Sequence, residues 1–166
     1  MRFLDGLAPR HLAWVVIGLT GLILLFLAFI PFVFKESTLP FALGHRSHEA
    51  TAYIDGTPFR IHLLTTERAR VKGLSGKESL DANEGMFFVF DKDGEWGIWM
   101  KDMLFSIDVL WIAEDGTVVH IEEYVHPDTY PRVFTNETPA RYVLEVTAGT
   151  VEAYNISVGS TVSSYS

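Results

Sequence analysis

Two residues of this chain, Trp99 and Lys101, combine side-chain types that could hold a polar ligand. They lie in the run Trp-Met-Lys-Asp at positions 99–102. In a β-strand they would point to the same face, because side chains alternate along a strand. An aromatic ring beside an ammonium group can hold a sugar or another polar small molecule. The commoner role of such a pair is structural, with the lysine stem lying over apolar core.

Asp108 lies in a run, Ser-Ile-Asp-Val-Leu-Trp-Ile, whose alternation leaves no polar face. The two faces of the predicted strand are Asp108, Leu110 and Ile112, and Ile107, Val109 and Trp111. We therefore predict that Asp108 is at least partly buried, which requires a partner or a shifted pKa. Candidate partners are Lys101, Arg68, Arg70 and Arg141. The residue could form a structural ion pair, or it could serve acid–base chemistry or ligand binding in a pocket.

Glu84 and Glu145 are the other carboxylates set against apolar strand sequence. If two of Asp108, Glu84 and Glu145 converge within ~5–10 Å, they could act as a glycosidase-type pair. The chain lacks G-x-S-x-G, H-E-x-x-H, Walker A and G-x-G-x-x-G motifs, and His62, His120 and His126 show no ligand spacing. His45 and His48 form an H-x-x-H pair in the linker, but without a helix or a third ligand a solvated linker is the commoner interpretation. We therefore predict no metal and no cofactor. Catalysis stays an open question, with Asp108 and Glu145 as its candidate residues.

Three apolar runs would position these side chains. We predict strands over residues 85–90, 96–100 and 107–112, with the first two joined by a turn at Asp91-Lys92-Asp93-Gly94. A first hairpin is predicted from residues 50–54 and 59–64. A second hairpin pairs the strand at 107–112 with residues 117–124. Residues 140–146 form one further predicted strand, and residues 158–162 form a closing strand.

Short helices and one long loop complete the predicted domain. A short helix is predicted to open at Thr65-Thr66-Glu67, with a Thr N-cap and Glu67 in the first turn, and to stop at Gly73. Residues 125–138 form a long loop, and residues 147–155 hold one or two helical turns. Many short strands with one or two short helices predict a mainly β fold, an antiparallel sandwich or small barrel.

Residues 12–34 contain no charged side chain and are flanked by Arg10 and Lys35. At ~1.5 Å rise per residue, such a helix spans the ~30 Å core of a bilayer. We predict a short cytoplasmic tail (1–11), a single transmembrane helix (12–34), a linker (35–49) and an extracytoplasmic domain (50–166). The flanking Lys/Arg count is tied, so the orientation follows from the shortness of the tail.

The charge of the chain is concentrated beyond the linker. Residues 49–166 carry 19 Asp and Glu against 9 Lys and Arg, a net charge of −10. Such a domain repels phosphate backbones, which argues against nucleic-acid binding. The chain has no cysteine, which excludes disulfides and thiolate chemistry. Asn136 and Asn155 begin N-x-[ST] sequences, the acceptor pattern for N-glycosylation.

The order of these motifs resembles the family catalogued as domain of unknown function 192, also called uncharacterised protein family 0127. The resemblance runs from about Tyr53 to the C-terminus. Its motifs are Arg70-x-x-Gly73-Leu74, Leu80, Gly85-Met86-Phe87-Phe88-x-Phe90, Trp99-Met100-Lys101-Asp102, Ile107-Asp108, Gly116-x-Val118-Val119, Pro127, Arg141-Tyr142-Val143-Leu144-Glu145-x-x-x-Gly149 and Ile156-x-Val158-Gly159.

The chain departs from this family's usual pattern at a few positions. Asp102 stands where the family usually has Asn, Ser75 where it has Met, and Ser160 where it has Asp; a Cys common near Pro127 is absent. The resemblance implies a small, jelly-roll-like β domain, often exported or membrane-tethered, with no established activity. It also implies that Trp99, Lys101, Asp108 and Glu145 share a pocket.

These observations lead to three hypotheses of function. The first is a non-catalytic, membrane-anchored extracytoplasmic module that binds a polar small molecule or glycan near Trp99 and Lys101. The second is an enzyme that uses Asp108 or Glu145 as a general base on a sugar-like substrate. The third is an envelope assembly protein whose long loop, residues 125–138, docks a protein partner of unknown identity.

Overall fold

The structure is a computed structural model, and it describes residues 49–164. The predicted tail (1–11), the predicted transmembrane helix (12–34) and all but the last residue of the predicted linker lie outside the described residues. Between residues 49 and 164, no helix is long and apolar enough to cross a membrane.

Nine strands, two short α-helices and one 3-10 turn build the described residues. The strands are β1 Glu49–Ile54, β2 Thr57–Leu64, β3 Glu84–Gly94, β4 Ile98–Trp99, β5 Ile107–Ile112, β6 Val118–Val125, β7 Val133–Phe134, β8 Ala140–Thr147 and β9 Val162–Ser164. The helices are α1 Glu67–Lys72 and α2 Thr150–Ala153, and the 3-10 turn is Pro127–Thr129.

Seven of the strands form one sheet, in the order β6-β5-β8-β3-β2-β1-β9, while β4 and β7 pair separately. Within the large sheet, five of the six pairings are antiparallel and only β2 and β3 run parallel. Parallel neighbours need a crossover connection, and α1 lies in that connection. The predicted mainly β, mainly antiparallel class is confirmed, and of the one or two short helices predicted there are two.

The large sheet curls until its two outer strands meet at one end. Thr117, just before β6, forms a β-bridge with Thr161, just before β9. The Val162 amide donates to the Gly116 carbonyl at 2.8 Å. A Cβ at Gly116 would lie 2.4 Å from the Val162 carbonyl oxygen, so this approach requires glycine. The result is a half-barrel of one curled seven-stranded sheet. Of the two predicted alternatives, it is nearer to the small barrel than to the sandwich of two facing sheets.

The central strands β5 and β8 are largely buried on both faces of the sheet, and β5 shows this most clearly. All six of its residues are buried. Leu110 and Ile112 pack into one hydrophobic cluster, and Ile107, Val109 and Trp111 pack into the other. This confirms the prediction that the strand has no polar face, and it makes β5 a central strand buried on both sides.

The predicted turn at Asp91-Lys92-Asp93-Gly94 is wrong, because β3 continues through it to Gly94. Gly94 still pairs with Ala140 of β8, after an irregularity that starts at Val89. Asp93 also accepts a hydrogen bond from Arg141 Nε of β8 at 2.7 Å. These cross-strand contacts keep the segment extended despite its Asp-Gly turn signal.

Two other predicted strands differ from those observed. Of residues 96–100, only Ile98–Trp99 forms a strand, and it pairs with β7, which lies inside the predicted long loop. The closing strand begins at Val162 instead of residue 158. Gly159 has φ +99, and the Ser157 amide donates to Ser160 Oγ at 3.0 Å, so this stretch is a turn.

Candidate functional site

A pocket of about 750 Å³ lies beside α1, on the face of the sheet that carries Phe88. Its volume falls in the range of about 300–1,000 Å³ that is typical of small-molecule sites. The walls come from α1 and the residues after it, from the outer half of β3 and from residues 96–99. Four aromatic side chains line it: Phe88, Phe90, Trp96 and Trp99.

Glu145 of β8 lines this pocket, and of the described acids that do so it is the one that is buried. Its neighbours across the sheet are Met86 of β3 and Val109 of β5. The residue is 5% exposed, and its Oε2 has no hydrogen-bond partner among residues 49–164. Burial raises the pKa of Glu145 to about 8. The side chain is therefore neutral at pH 7, when it can both donate and accept a hydrogen bond.

The end of α1 approaches Glu145 closely. Thr66 caps the helix by accepting a hydrogen bond from the Ala69 amide, and Gly73 ends it with φ +45, as predicted. A Cβ at Gly73 would lie 3.3 Å from the Phe88 ring and 3.8 Å from Glu145 Oε2. The missing side chain lets the chain pass close over the carboxyl group.

Arg70, Phe90 and Trp96 form a stack on one wall of the pocket. The Arg70 guanidinium lies 5.0 Å from the centre of the Phe90 ring. The Phe90 and Trp96 rings are stacked, with centroids 3.8 Å apart and 5° between their planes. Arg70 Nη1 donates to the carbonyls of Thr65 and Val89, at 3.0 and 2.8 Å. Arg70 therefore donates to backbone carbonyls. It does not form the ion pair with the sheet carboxylate Asp108 that was one of its predicted roles.

Trp96 is fixed by hydrogen bonds that sequence reasoning missed. Its amide donates to Asn136 Oδ1 at 2.8 Å, and its indole N–H donates to the Ala140 carbonyl at 2.7 Å. Asn136 is 1% exposed and donates in turn to the carbonyls of Gly94 and Thr138. Its amide is occupied, so Asn136 acts as a structural brace here, although the only sequence signal was an N-glycosylation pattern.

Asp108 is fully buried, which confirms its predicted burial. Its partners are backbone amides and not the predicted cations: Oδ1 accepts from Tyr124 N–H and Oδ2 from Val151 N–H, both at 2.9 Å. Asp108 follows the alternation of Leu110, so it lies on the opposite face of the sheet from Glu145. Asp108 is thus absent from the pocket lining and ties β6 and α2 to β5.

Trp99 and Lys101 do not share a strand face, because β4 ends at Trp99. Trp99 lines the pocket and is 47% exposed, with the Tyr130 ring edge-on at 6.4 Å. Lys101 lies in the following turn, exposed and outside the pocket lining. Of the four residues predicted to share a pocket, the structure thus brings together Trp99 and Glu145, while Lys101 and Asp108 lie elsewhere.

Glu84 of β3 is a second buried acid, and its surroundings are the opposite of those of Glu145. It is 8% exposed and contacts His62 Nε2, Arg60, Lys77 and the Asp81 amide. Burial alone would raise its pKa, but the hydrogen bonds from His62 and Asp81 and the Lys77 charge lower it to about 2. Glu84 is therefore a satisfied, ionised group outside the pocket.

The remaining charges at the pocket are exposed or stacked. Besides Glu145, the charged groups that line it are Glu67, Arg70, Lys72, Asp91 and Lys92. Within residues 49–164, no group of three His, Cys, Asp or Glu side chains has the arrangement needed to hold a metal ion. The site thus consists of aromatic walls, one buried neutral carboxyl group and a charged rim.

The sequence matches the profile of DUF192, described as Uncharacterized ACR, COG1430, over residues 50–164. The chain belongs to the DUF192 family. This DUF192 chain is also similar to two solved structures. One is a protein of Sinorhizobium meliloti 1021 that has been suggested to be a transcription regulator. It has 28% identity and a TM-score of 0.68, over 73% of this chain and 98% of that chain.

The second similar structure is a protein of unknown function from Novosphingobium aromaticivorans DSM 12444. It has 24% identity and a TM-score of 0.65, over 69% of this chain and 84% of that chain. At this identity the similarity establishes the fold alone. A comparison with curated proteins finds no match to this DUF192 chain.

Proposed function

We propose that this DUF192 domain binds a polar small molecule of the sugar class, without transforming it, in the pocket lined by Glu145. The observation that carries the proposal is the buried Glu145 oxygen, which has no partner among the described residues and lies at an aromatic-lined cavity of about 750 Å³. An unsatisfied buried polar group is unfavourable by ~1–3 kcal/mol. A ligand hydroxyl that bonds to it would remove that penalty.

The chemistry of the walls fits this ligand class. A sugar ring has an apolar C–H face, which can pack on a ring such as Trp99 or Trp96, and hydroxyl groups around its edge. A neutral carboxyl group can donate to one hydroxyl and accept from another. The Phe90–Trp96 stack, fixed by hydrogen bonds at Trp96, supplies a preformed surface, which lowers the entropic cost of binding.

Calorimetric titration of the full-length chain with a panel of mono- and oligosaccharides tests the proposal. Because the full-length chain contains the apolar stretch 12–34, it is kept in a detergent, and this detergent must lack a sugar headgroup that could compete for the pocket. We expect binding by at least one sugar, loss of that binding in Glu145→Leu and retention in Glu84→Gln, which alters a buried acid outside the pocket. A ligand at 100 times its Kd should also stabilise the fold by ~2.7 kcal/mol. No binding by any sugar would contradict the proposal.

One observation favours a second candidate, an enzyme in which Glu145 acts as a general acid instead of the general base considered from the sequence. Its raised pKa, about 8, keeps a proton available at neutral pH in an accessible pocket. Asp108 is the weaker catalytic candidate, because two backbone amides occupy its carboxylate and it lies outside the pocket. Hydrolysis of aryl glycosides by the wild-type chain, abolished in Glu145→Gln, would favour catalysis. Sugar binding without hydrolysis would contradict the enzyme and support the non-catalytic binding module.

We further propose that the chain is anchored in a membrane by residues 12–34, with its amino terminus in the cytoplasm and the acidic domain outside. The support is the uncharged apolar stretch between Arg10 and Lys35. Resistance to carbonate extraction, with residues 50–166 digested by protease added to intact cells, is the expected result. The net charge of −10 over residues 49–166 also disfavours a nucleic-acid partner.

A further inference from the structure

The pocket has a charge balance that differs from the rest of the domain. Residues 49–166 have about twice as many acids as bases, 19 against 9. Three of the nine bases line the pocket, namely Arg70, Lys72 and Lys92, together with two exposed acids, Glu67 and Asp91. Because Glu145 is neutral, the charged side chains that line the pocket carry three positive and two negative charges. The pocket therefore has a small positive excess within an acidic domain.

The three cations are not equivalent. Arg70 is held by two carbonyls and by the Phe90 ring. In the part of the chain that the structure describes, the ammonium groups of Lys72 and Lys92 make no ion pair and no hydrogen bond. They come from different elements, the last turn of α1 and the outer half of β3, and both are exposed. A cation in the last turn of a helix interacts favourably with the helix dipole. This accounts for a lysine at position 72, at the end of α1, but not for the lysine at position 92 in β3.

We propose that the ligand of this pocket is an acidic sugar, whose carboxylate or phosphate group is held by Lys72 and Lys92 while its hydroxyl groups reach Glu145. This inference rests on the proposed sugar-binding function and names its substrate class. A lysine binds carboxylate and phosphate as a point charge, and both anions form charge-assisted hydrogen bonds with it.

The orientation of the ligand follows from the same groups. Glu145 is the buried end of the site, and no cation between residues 49 and 164 is hydrogen-bonded to it, so an anion there would face a carboxyl group in an apolar environment. Among the described residues that line the pocket, the cations without an ion pair or hydrogen bond are Lys72 and Lys92, and both are exposed. The anionic group must therefore lie at the mouth, and the neutral, hydroxyl-bearing part of the ring inside.

Matched ligands test this directly. The full-length chain is titrated calorimetrically with glucose, glucuronic acid and glucose 1-phosphate, and with the galactose counterparts, at low and high salt. We expect at least one acid to bind about tenfold tighter than its neutral sugar at low salt, ~1.4 kcal/mol. This preference should shrink at high salt because exposed charges are screened. The carboxylate and phosphate arms identify which anion the lysines hold.

Variants of exposed lysines provide the controls. Lys72→Gln/Lys92→Gln should reduce the acid-over-neutral preference to below about twofold, and Lys101→Gln, an exposed lysine outside the pocket, should keep it. A preference that survives in the double variant would overturn the inference. Neutral and acidic sugars that bind equally would overturn it too while leaving the proposed function intact. If no sugar binds, both fail.

Discussion

The Cβ position of Gly73 lies 3.8 Å from the Oε2 of Glu145. This proximity joins the two parts of the candidate site, the short helix in the β2–β3 crossover and the central strand β8. Gly73 reaches it in a backbone conformation, φ +45, that residues with a side chain rarely adopt. The approach of helix to sheet therefore depends on a glycine, and the buried carboxyl group lies beneath it.

Gly73→Ala should destabilise the fold and weaken ligand binding. The new Cβ would lie 3.3 Å from the Phe88 ring, and alanine would have to adopt the positive φ of Gly73. Together these effects should lower the free energy of unfolding by about 2 kcal/mol. Chemical denaturation measures the loss. Gly76→Ala is the matched control, because Gly76 also has positive φ, +74, but its Cβ would meet nothing within 4 Å. Equal effects of both substitutions would mean that the contact with the pocket wall contributes nothing.

Glu145 should make stability fall as the pH rises. Its folded pKa, about 8, lies above its ordinary value of 4.5, so between these pH values the folded chain holds a proton that the unfolded chain releases. The stability contributed by this proton is fully present below pH 4.5 and is lost through pH 8, at ~1.4 kcal/mol per pH unit.

Glu145→Gln cannot lose this proton. The difference in unfolding free energy between this variant and the wild type should therefore shift toward the variant between about pH 5 and pH 8, and then level off. Denaturant titrations at four or five pH values measure it. A difference that stays constant with pH would show that Glu145 ionises normally in the folded chain.

Glu84 should give the opposite pH dependence. Its folded pKa, about 2, lies below its ordinary value of 4.5. Its stabilisation is therefore present above pH 4.5 and is lost as the pH falls toward 2. Glu84→Gln should destabilise the chain at pH 7 by about 2 kcal/mol, in the range for hydrogen bonds to charged groups. The effect should vanish near pH 2, and persistence of the full loss at that pH would contradict the assignment.

Asp108→Asn should destabilise the fold without changing the pocket. Both carboxylate oxygens accept from backbone amides, so an amide side chain would place its NH₂ against an N–H donor in a buried site. The expected loss is about 3 kcal/mol. Calorimetric titration of the folded variant should return the wild-type sugar affinity, because Asp108 lies on the opposite face of the sheet. A large affinity loss in folded protein would restore Asp108 as a site residue.

Local patterns in the sequence were sufficient for much of the fold. Alternation identified β5 and its two buried faces, and the Thr65-Thr66 pair and Gly73 marked the ends of α1, because caps and strand faces depend on neighbouring residues. The ordered motifs also identified the DUF192 family. Turn chemistry misled at Asp91-Lys92-Asp93-Gly94, where pairing with β8 outweighs the local preference of an Asp-Gly pair.

The candidate site was decided by contacts between residues far apart in the chain. Sequence alone determined that Asp108 and Glu145 are acids in apolar strands, but not which of them would find partners. Tertiary structure gives Asp108 two amides, whereas Glu145, placed between Met86 and Val109 in the sheet, has an oxygen with no partner among residues 49–164. Ending β4 at Trp99 likewise separates Lys101 from the pocket. The reason is physical: burial can be read from local periodicity, whereas satisfaction of a buried charge depends on the register of strands brought together only by folding.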